Sequence, residues 1–198
     1  MCAFQTHLLC SPVVREVVLG DVVHASRPGE MVFKSGKKAI IDFESFNIGT
    51  GESVKFMLDP GNYTGHVLFF FENGKAARIE LSAYATKTNR KKLTGAYSGS
   101  SPLVSIVPLA NDTEIAVYST EGRVIIFSTS LLTPKTTRST VGVAVMTLKK
   151  KNKLCKAVPV LESSIKNLAR YRVRSVPAAG ALLKEEDLEE QQIEIQFV

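Results

Sequence analysis

The sequence predicts an all-β fold assembled from propeller-type repeats. Three observations predict it. Residues 65–90 (GHVLFFFENGKAARIELSAYATKTNR) and 113–138 (TEIAVYSTEGRVIIFSTSLLTPKTTR) align without a gap, 48 residues apart. Gly74 matches Gly122, Ser82 matches Ser130, and Lys87, Thr88 and Arg90 match Lys135, Thr136 and Arg138. Each copy also reads as an apolar run, a glycine turn and a second apolar stretch, which is the pattern of a β-hairpin. A weaker copy stands earlier, at 31–37, with Gly36 at the turn, Phe33 in the place of Phe71 and Ile41 in the place of Ile79.

The elements follow in chain order. Residues 1–27 have no basic leader region and no clean cleavage site, and are expected to be a boundary segment, poorly ordered or an incomplete strand pair. The repeats are expected over 28–161, with units near 29–63, 64–110 and 111–161. In the first full copy, 67–71 is continuous and apolar, and Ala77, Ile79 and Leu81 alternate with Ala76, Arg78 and Glu80. Asn73-Gly74 between them predicts a type I′ hairpin turn, because both residues tolerate φ > 0. In the second copy Glu121 suits that turn poorly, so a glycine-bulge turn is equally expected. Strands are expected at Leu103–Leu109, 141–148 and 154–161, and one short helix at 162–168. Val176-Pro177-Ala178-Ala179-Gly180 should break regular structure. The last segment, 162–198, closes the repeats and ends in an acidic tail. The count of about three to four blades is low for a closed propeller, so a partial or open array is expected.

Bulk properties narrow the function. The chain has 198 residues, enough for one domain or two small ones. No apolar stretch approaches the ~18 residues of a membrane helix, so no membrane partner is expected. Three cysteines, Cys2, Cys10 and Cys155, lack metal spacing and suit a reducing compartment. Charge is more telling. Residues 75–156 carry 14 basic and four acidic side chains, whereas residues 184–198 carry one lysine and six acids. A basic body implies a polyanionic partner, nucleic acid first. The tail is either solvated or a competitor for the same basic surface.

Catalytic patterns are missing. His7, His24 and His66 stand apart from cysteines and paired carboxylates, and no phosphate loop, nucleophile elbow or zinc-protease helix occurs. Neither a metal nor a cofactor is expected. The basic loops are the candidate site: Lys87, Arg90, Lys91 and Lys92 in the first, Lys135 and Arg138 in the second, and Lys149, Lys150, Lys151 and Lys153 in a third run. Lysine and arginine neutralise phosphates, and neighbouring Thr, Ser and Asn add positioning bonds. A solvated loop needs no fixed spacing, yet the Lys-Thr-x-Arg group recurs with the repeat. Phe69, Phe70, Phe71, Phe127 and Tyr118 lie within strands and are expected in the core, which favours backbone binding over base stacking.

The hairpin, the basic loop and the following Arg138-Ser-Thr-Val-Gly142-Val143-Ala-Val-Met-Thr-Leu148 resemble the C-terminal repeat domain of bacterial type IIA topoisomerase A subunits, those of DNA gyrase and topoisomerase IV. Arg90 through Gly95 matches with one residue inserted, and the resemblance covers roughly residues 28–160. It implies a β-pinwheel whose blades exchange a strand and whose basic rim binds and bends duplex DNA. Besides duplex DNA, the implied partners are the N-terminal cleavage core that shares a polypeptide with this domain, and the separate ATPase chain of the full enzyme. The implied location is the cytoplasm, in association with the nucleoid. The gyrase Q-R-R-G-G-K-G box has no counterpart, which implies a topoisomerase IV-type or degenerate variant. Nothing resembles the winged-helix region that carries the cleaving tyrosine, so the chain alone is expected not to cut DNA. The reading from another class is a propeller-like interaction scaffold with an acidic protein partner.

Overall fold

In the computed structural model, residues 62–85 and 95–188 are described in full, together with the backbone of five short strands before them. The early strands are β1 (His7–Leu8), β2 (Val22–His24), β3 (Glu30–Phe33), β4 (Lys38–Ile40) and β5 (Met57–Leu58). The chain divides into two compact units that interleave in sequence. One comprises Met1–Val67, Ile79–Ser100 and Pro134–Thr140, the other Leu68–Arg78, Ser101–Thr133 and Val141–Val198.

The first unit contains a sheet in the order β2-β3-β4 and a β1-β5 pair. The β3–β4 hairpin, with Met31 opposite Ala39, is the early copy expected around Gly36. The remaining order of residues 1–27, the stretch after Ile41 and the end of the acidic tail lie outside the described residues.

The 48-residue repeat sets the next strands. The first copy forms β6 (His66–Phe71) and β7 (Lys75–Glu80). After the expected strand β8 (Leu103–Leu109), the second copy forms β9 (Glu114–Ser119) and β10 (Arg123–Ser128), each displaced by the same 48 residues. In both copies a 3-10 turn follows at once, at Leu81–Tyr84 and Thr129–Leu131. Each hairpin turn spans three residues, and Gly74 (φ 76°) and Gly122 (φ 74°) are its positive-φ positions. The type I′ turn expected at Asn73-Gly74 therefore does not form. The third loop residue absorbs the bend as a glycine in the left-handed region, and the two copies share one glycine-bulge turn.

The interior strands are buried on both faces. Positions 67–71, 76–79, 115–117 and 124–127 are all buried, so the alternation written in β7 does not mark a wet face. Phe70, Leu68, Val107, Ile115, Ile125, Phe127 and Met146 share one core in the second unit. Burial of each such side chain contributes roughly 1.5–3 kcal/mol. The expectation that Phe69, Phe70, Phe71 and Phe127 are core residues is met, while Tyr118 is half-buried.

Two short strands complete the sheets. β11 (Val143–Ala144) pairs with β7, and β13 (Ala181–Leu182) pairs with β10, in matching register: Val143 opposite Ala76, Ala181 opposite Val124. The sheet orders are β11-β7-β6-β8 and β12-β9-β10-β13, where β12 is Leu154–Pro159. Each hairpin thus takes its fourth strand from chain that lies beyond the next hairpin or strand. The junction is the same twice. A positive-φ glycine, Gly142 or Gly180, precedes the strand. The residue after the strand, Val145 or Leu183, donates its N–H to the turn glycine, Gly74 or Gly122, at 2.8 Å. The strand expected over 141–148 shrinks to these two paired residues. The helix expected at 162–168 is displaced: a 3-10 turn occupies Val160–Glu162, and the one α-helical turn among the described residues, α1, is Leu168–Tyr171. Ile165 and Tyr171, on either side of the turn's start, are both buried in one cluster with Ala116, Val124 and Ile126.

A Cβ at Gly142 would lie 2.3 Å from the Ala76 carbonyl oxygen, whereas one at Gly122 would meet nothing within 4 Å. Both residues hold φ > 0. Gly122→Ala should therefore cost about 1–2 kcal/mol for the left-handed backbone. Gly142→Ala should cost that and more, because the incoming strand must withdraw. Urea denaturation of both variants checks this, and equal losses would refute the close approach.

Candidate nucleic-acid interface

In the second unit, residues 149–153 form a tight turn beside two hairpin ends. The Asn152 N–H donates to the Lys149 carbonyl at 3.0 Å. The Thr120 N–H donates to the Lys153 carbonyl at 2.9 Å, and the Lys153 N–H returns to Thr120 Oγ1 at 3.0 Å. The Asn152 side-chain amide donates to Glu121 Oε2 at 2.8 Å. These bonds fix the backbone and leave the lysine chains outward.

The turn is electrically uneven. Lys153 Nζ sits 2.6 Å from Glu72, and Lys149 Nζ lies 3.9 Å from Glu121, which also holds Arg123 at 2.9 Å. Lys150 and Lys151 are exposed and have no ion-pair partner among the described residues. Lys156 lies 5.6 Å over the Tyr118 ring, so the half-buried aromatic serves a cation rather than a free face. Lys151 holds φ 77°, the turn position that normally takes glycine.

In the first unit, residues 134–140 run beside the end of β7. Lys135 bridges Ile79 in parallel, and its carbonyl accepts the Glu80 N–H at 3.0 Å. The Lys135 side chain is exposed. Arg138 is half-buried, with Nη1 3.5 Å from the Ala83 carbonyl. A groove of about 450 Å³ is lined by Ala83, Gly95, Thr136, Thr137, Arg138 and Ser139. Three hydroxyls and one guanidinium on its wall are donors suited to an anionic oxygen. Beneath it, Tyr84 donates to the Ala96 carbonyl at 2.7 Å. Burial pushes the Tyr84 phenol up, and the Arg138 charge offsets part of that rise.

The ten residues singled out from sequence do not fall in one described group. Lys149, Lys150, Lys151 and Lys153 share the turn in the second unit, and Lys135 and Arg138 share the groove segment in the first. Lys87, Arg90, Lys91 and Lys92 lie outside the described residues. Sequence reasoning gave no role to Lys166, Arg170, Arg172 and Arg174, a cationic run near α1. The density of basic residues could have flagged it; the gapless repeat could not, because its spacing there contracts. Among the described residues no group of three or more His, Cys, Asp or Glu is placed to hold a metal ion. No helix there is long and apolar enough to cross a membrane.

No protein-family model and no curated protein matches the chain. Solved structures do. The chain is similar to the C-terminal domain of DNA topoisomerase IV, with a TM-score of 0.60 and 17% identity, over 81% of this chain and 58% of that one. It is also similar to the DNA gyrase A C-terminal domain, with a TM-score of 0.53 and 19% identity, over 77% of this chain and 56% of that one. At these identities the likeness is one of fold. The chain has the β-pinwheel fold of those domains and spans less than three fifths of their length.

A lysine in the left-handed region costs about 1–2 kcal/mol. Lys151→Gly removes that strain and gains flexibility in the unfolded chain, so stability should stay level or rise by roughly 0–1 kcal/mol. Thermal denaturation reads the change, and a clear loss of stability would mean that the lysine chain itself holds the turn.

Proposed function

We propose that this chain binds duplex DNA through its phosphates, with little sequence preference, and bends it, as the C-terminal domain of the DNA-cleaving chain of a type IIA topoisomerase. The observation that carries the reading is a set of cations, Lys135, Lys150 and Lys151, unpaired among the described residues and mounted on backbone-anchored segments of a β-pinwheel fold. Backbone anchoring sets where each charge stands, and outward lysine chains can neutralise phosphates and release counterions. The exposed groups are cationic or hydroxylic, which suits positioning on a backbone and not base readout. Arg138, Thr136 and Thr137 would add hydrogen bonds from the groove, and Lys149 and Lys153 would join after leaving their glutamates. Lys87, Arg90, Lys91 and Lys92 belong to the same proposal through the repeat.

In this reading the chain performs no chemistry of its own. It holds DNA for a cleavage core in the same polypeptide, which works with a separate ATP-hydrolysing chain in the cytoplasm. The competing reading is a scaffold for an acidic protein. It would be favoured by capture of such a protein that survives nuclease treatment.

Binding to a labelled duplex should weaken steeply with salt and hardly change with sequence. Charge reversal at Lys135, Lys150 and Lys151 should lower the slope of log affinity against log salt by about 0.9 per lost phosphate contact. An unchanged slope would overturn the assignment of these residues. Relaxation of supercoiled plasmid by the chain alone would overturn the claim that it performs no chemistry.

A further inference from the structure

We infer that residues 166–174 form a further phosphate-binding station for duplex DNA, one that the sequence repeat conceals; the inference rests on the DNA-binding reading above. Two isolated bridges point to it. Near the end of β7, Ile79 pairs in parallel with Lys135; in β10, Ile126 pairs in parallel with Arg172. Both partner segments lead to a positive-φ glycine and a two-residue strand that returns to the same hairpin: Gly142 and β11 in one case, Gly180 and β13 in the other. Residues 172–178 therefore stand to β10 as 134–140 stand to β7. Corresponding residues are 48 apart in the hairpins but 38 apart at these glycines, so a gapless alignment passes over the likeness.

The segment 166–174 overlaps this counterpart at Arg172 and Arg174 and carries Lys166, Arg170, Arg172 and Arg174, against Lys135 and Arg138 in 134–140. Its backbone is held. The Val173 N–H donates to the Ile126 carbonyl at 2.8 Å, the Lys166 N–H donates to the Asp187 carbonyl at 2.8 Å, and buried Tyr171 donates its hydroxyl to Asp187. The cations differ in availability. Lys166 and Arg174 are exposed, with no ion-pair partner among the described residues. Arg172 makes a two-pronged contact with Glu114, both bonds 2.8 Å, on an open surface. Phosphate oxygens offer a guanidinium the same paired acceptors as a carboxylate does, so this contact is exchangeable. Arg170 is committed, 3.5 Å from buried Asp187 and 3.6 Å from Glu186. The station therefore offers two available cations and one held in reserve by Glu114. Tyr171 is buried, so its aromatic face is closed to a base.

The test uses the whole chain and a labelled duplex over a range of salt. K166A/R174A should lower the salt slope by about 1.8, so that raising salt from about 50 to about 200 mM weakens the wild type about twelvefold more than the variant. E114Q should act in the opposite direction, raising the slope by about 0.9 as Arg172 becomes free. Opposite shifts, with unchanged thermal denaturation, support the station. A wild type that binds with normal salt dependence and a double variant with the same slope overturn it, and leave the DNA-binding reading standing. Failure of the wild type to bind duplex overturns both.

Discussion

The second unit depends on a close approach between glycine and carbonyl. At Gly142 the incoming chain lies against the Ala76 carbonyl, and at Gly180 against the Val124 carbonyl, residues that are equivalent in the two hairpins. A β-hairpin alone is marginal in water. Here each hairpin gains strands on both sides: β8 and β11 for the first, β12 and β13 for the second. The strand next to β7 or β10 comes from distant chain, so neither sheet can be completed by local folding. That requirement explains why only glycine serves at the junction. The strand must arrive in the left-handed region and nearly touch the neighbouring backbone, and any side chain obstructs one or both.

A buried polar tie accompanies this exchange. Arg78, on β7, lies within the protein and reaches Asp112 Oδ1 at 2.7 Å and the Thr129 carbonyl at 3.0 Å. Asp112 also accepts the Thr129 hydroxyl at 2.9 Å, and Thr129 exchanges bonds with Thr113. The first hairpin is thereby fastened to both ends of the second, where β9 begins and β10 finishes. Ile126, the second-copy equivalent of Arg78, is apolar and needs no such tie. Burying a cation costs several kcal/mol unless it is well paired, so the tie contributes position more than net stability. The two copies, alike in strand and turn, part company here in the chemistry of a buried position.

Much of this was legible in the sequence, and the remainder was hidden for physical reasons. A gapless period placed both hairpins, with the expected runs 67–71 and 76–81 within one residue of the observed strands, because hairpins and their turns have little freedom in length. The borrowed strands were hidden because two residues with exposed side chains, Val143 and Ala144, carry no hydrophobic period; backbone pairing makes them a strand. The turn type was misjudged because Asn73-Gly74 is a strong local signal, yet loop length decides between turn classes. Among the candidate cations, sequence distinguished basic loops from strands but could not see carboxylates arriving from elsewhere. Glu72, Glu121 and Glu114 are remote in sequence from Lys153, Lys149 and Arg172, and only the fold makes them counterions.

Those counterions reveal how the fold divides its charge. Glu72, Glu114 and Glu121 all belong to the two hairpins. Most cations without an ion pair among the described residues, Lys135, Arg138, Lys150, Lys151, Lys166 and Arg174, lie on connecting segments; Lys75 on β7 and Lys156 on β12 are the exceptions. Exposed ion pairs contribute only about 0–1 kcal/mol each, so the hairpin acids are poorly explained as supports for the core. Their effect is local: they lower the charge of Lys153, Lys149 and Arg172 and leave Lys150, Lys151, Lys166 and Arg174 alone. The connecting segments gain their positions from backbone bonds, as at Ile79–Lys135 and Val173–Ile126. Their side chains are consequently free to change without disturbing the packed strands. Such a division, with an apolar scaffold beneath and unbalanced charge above, is what a binding surface for a polyanion requires. It also explains the tolerance of a lysine at a position built for glycine. At Lys151 the local strain is small beside the stability of the strands that carry it, and the charge is placed where no described acid answers it.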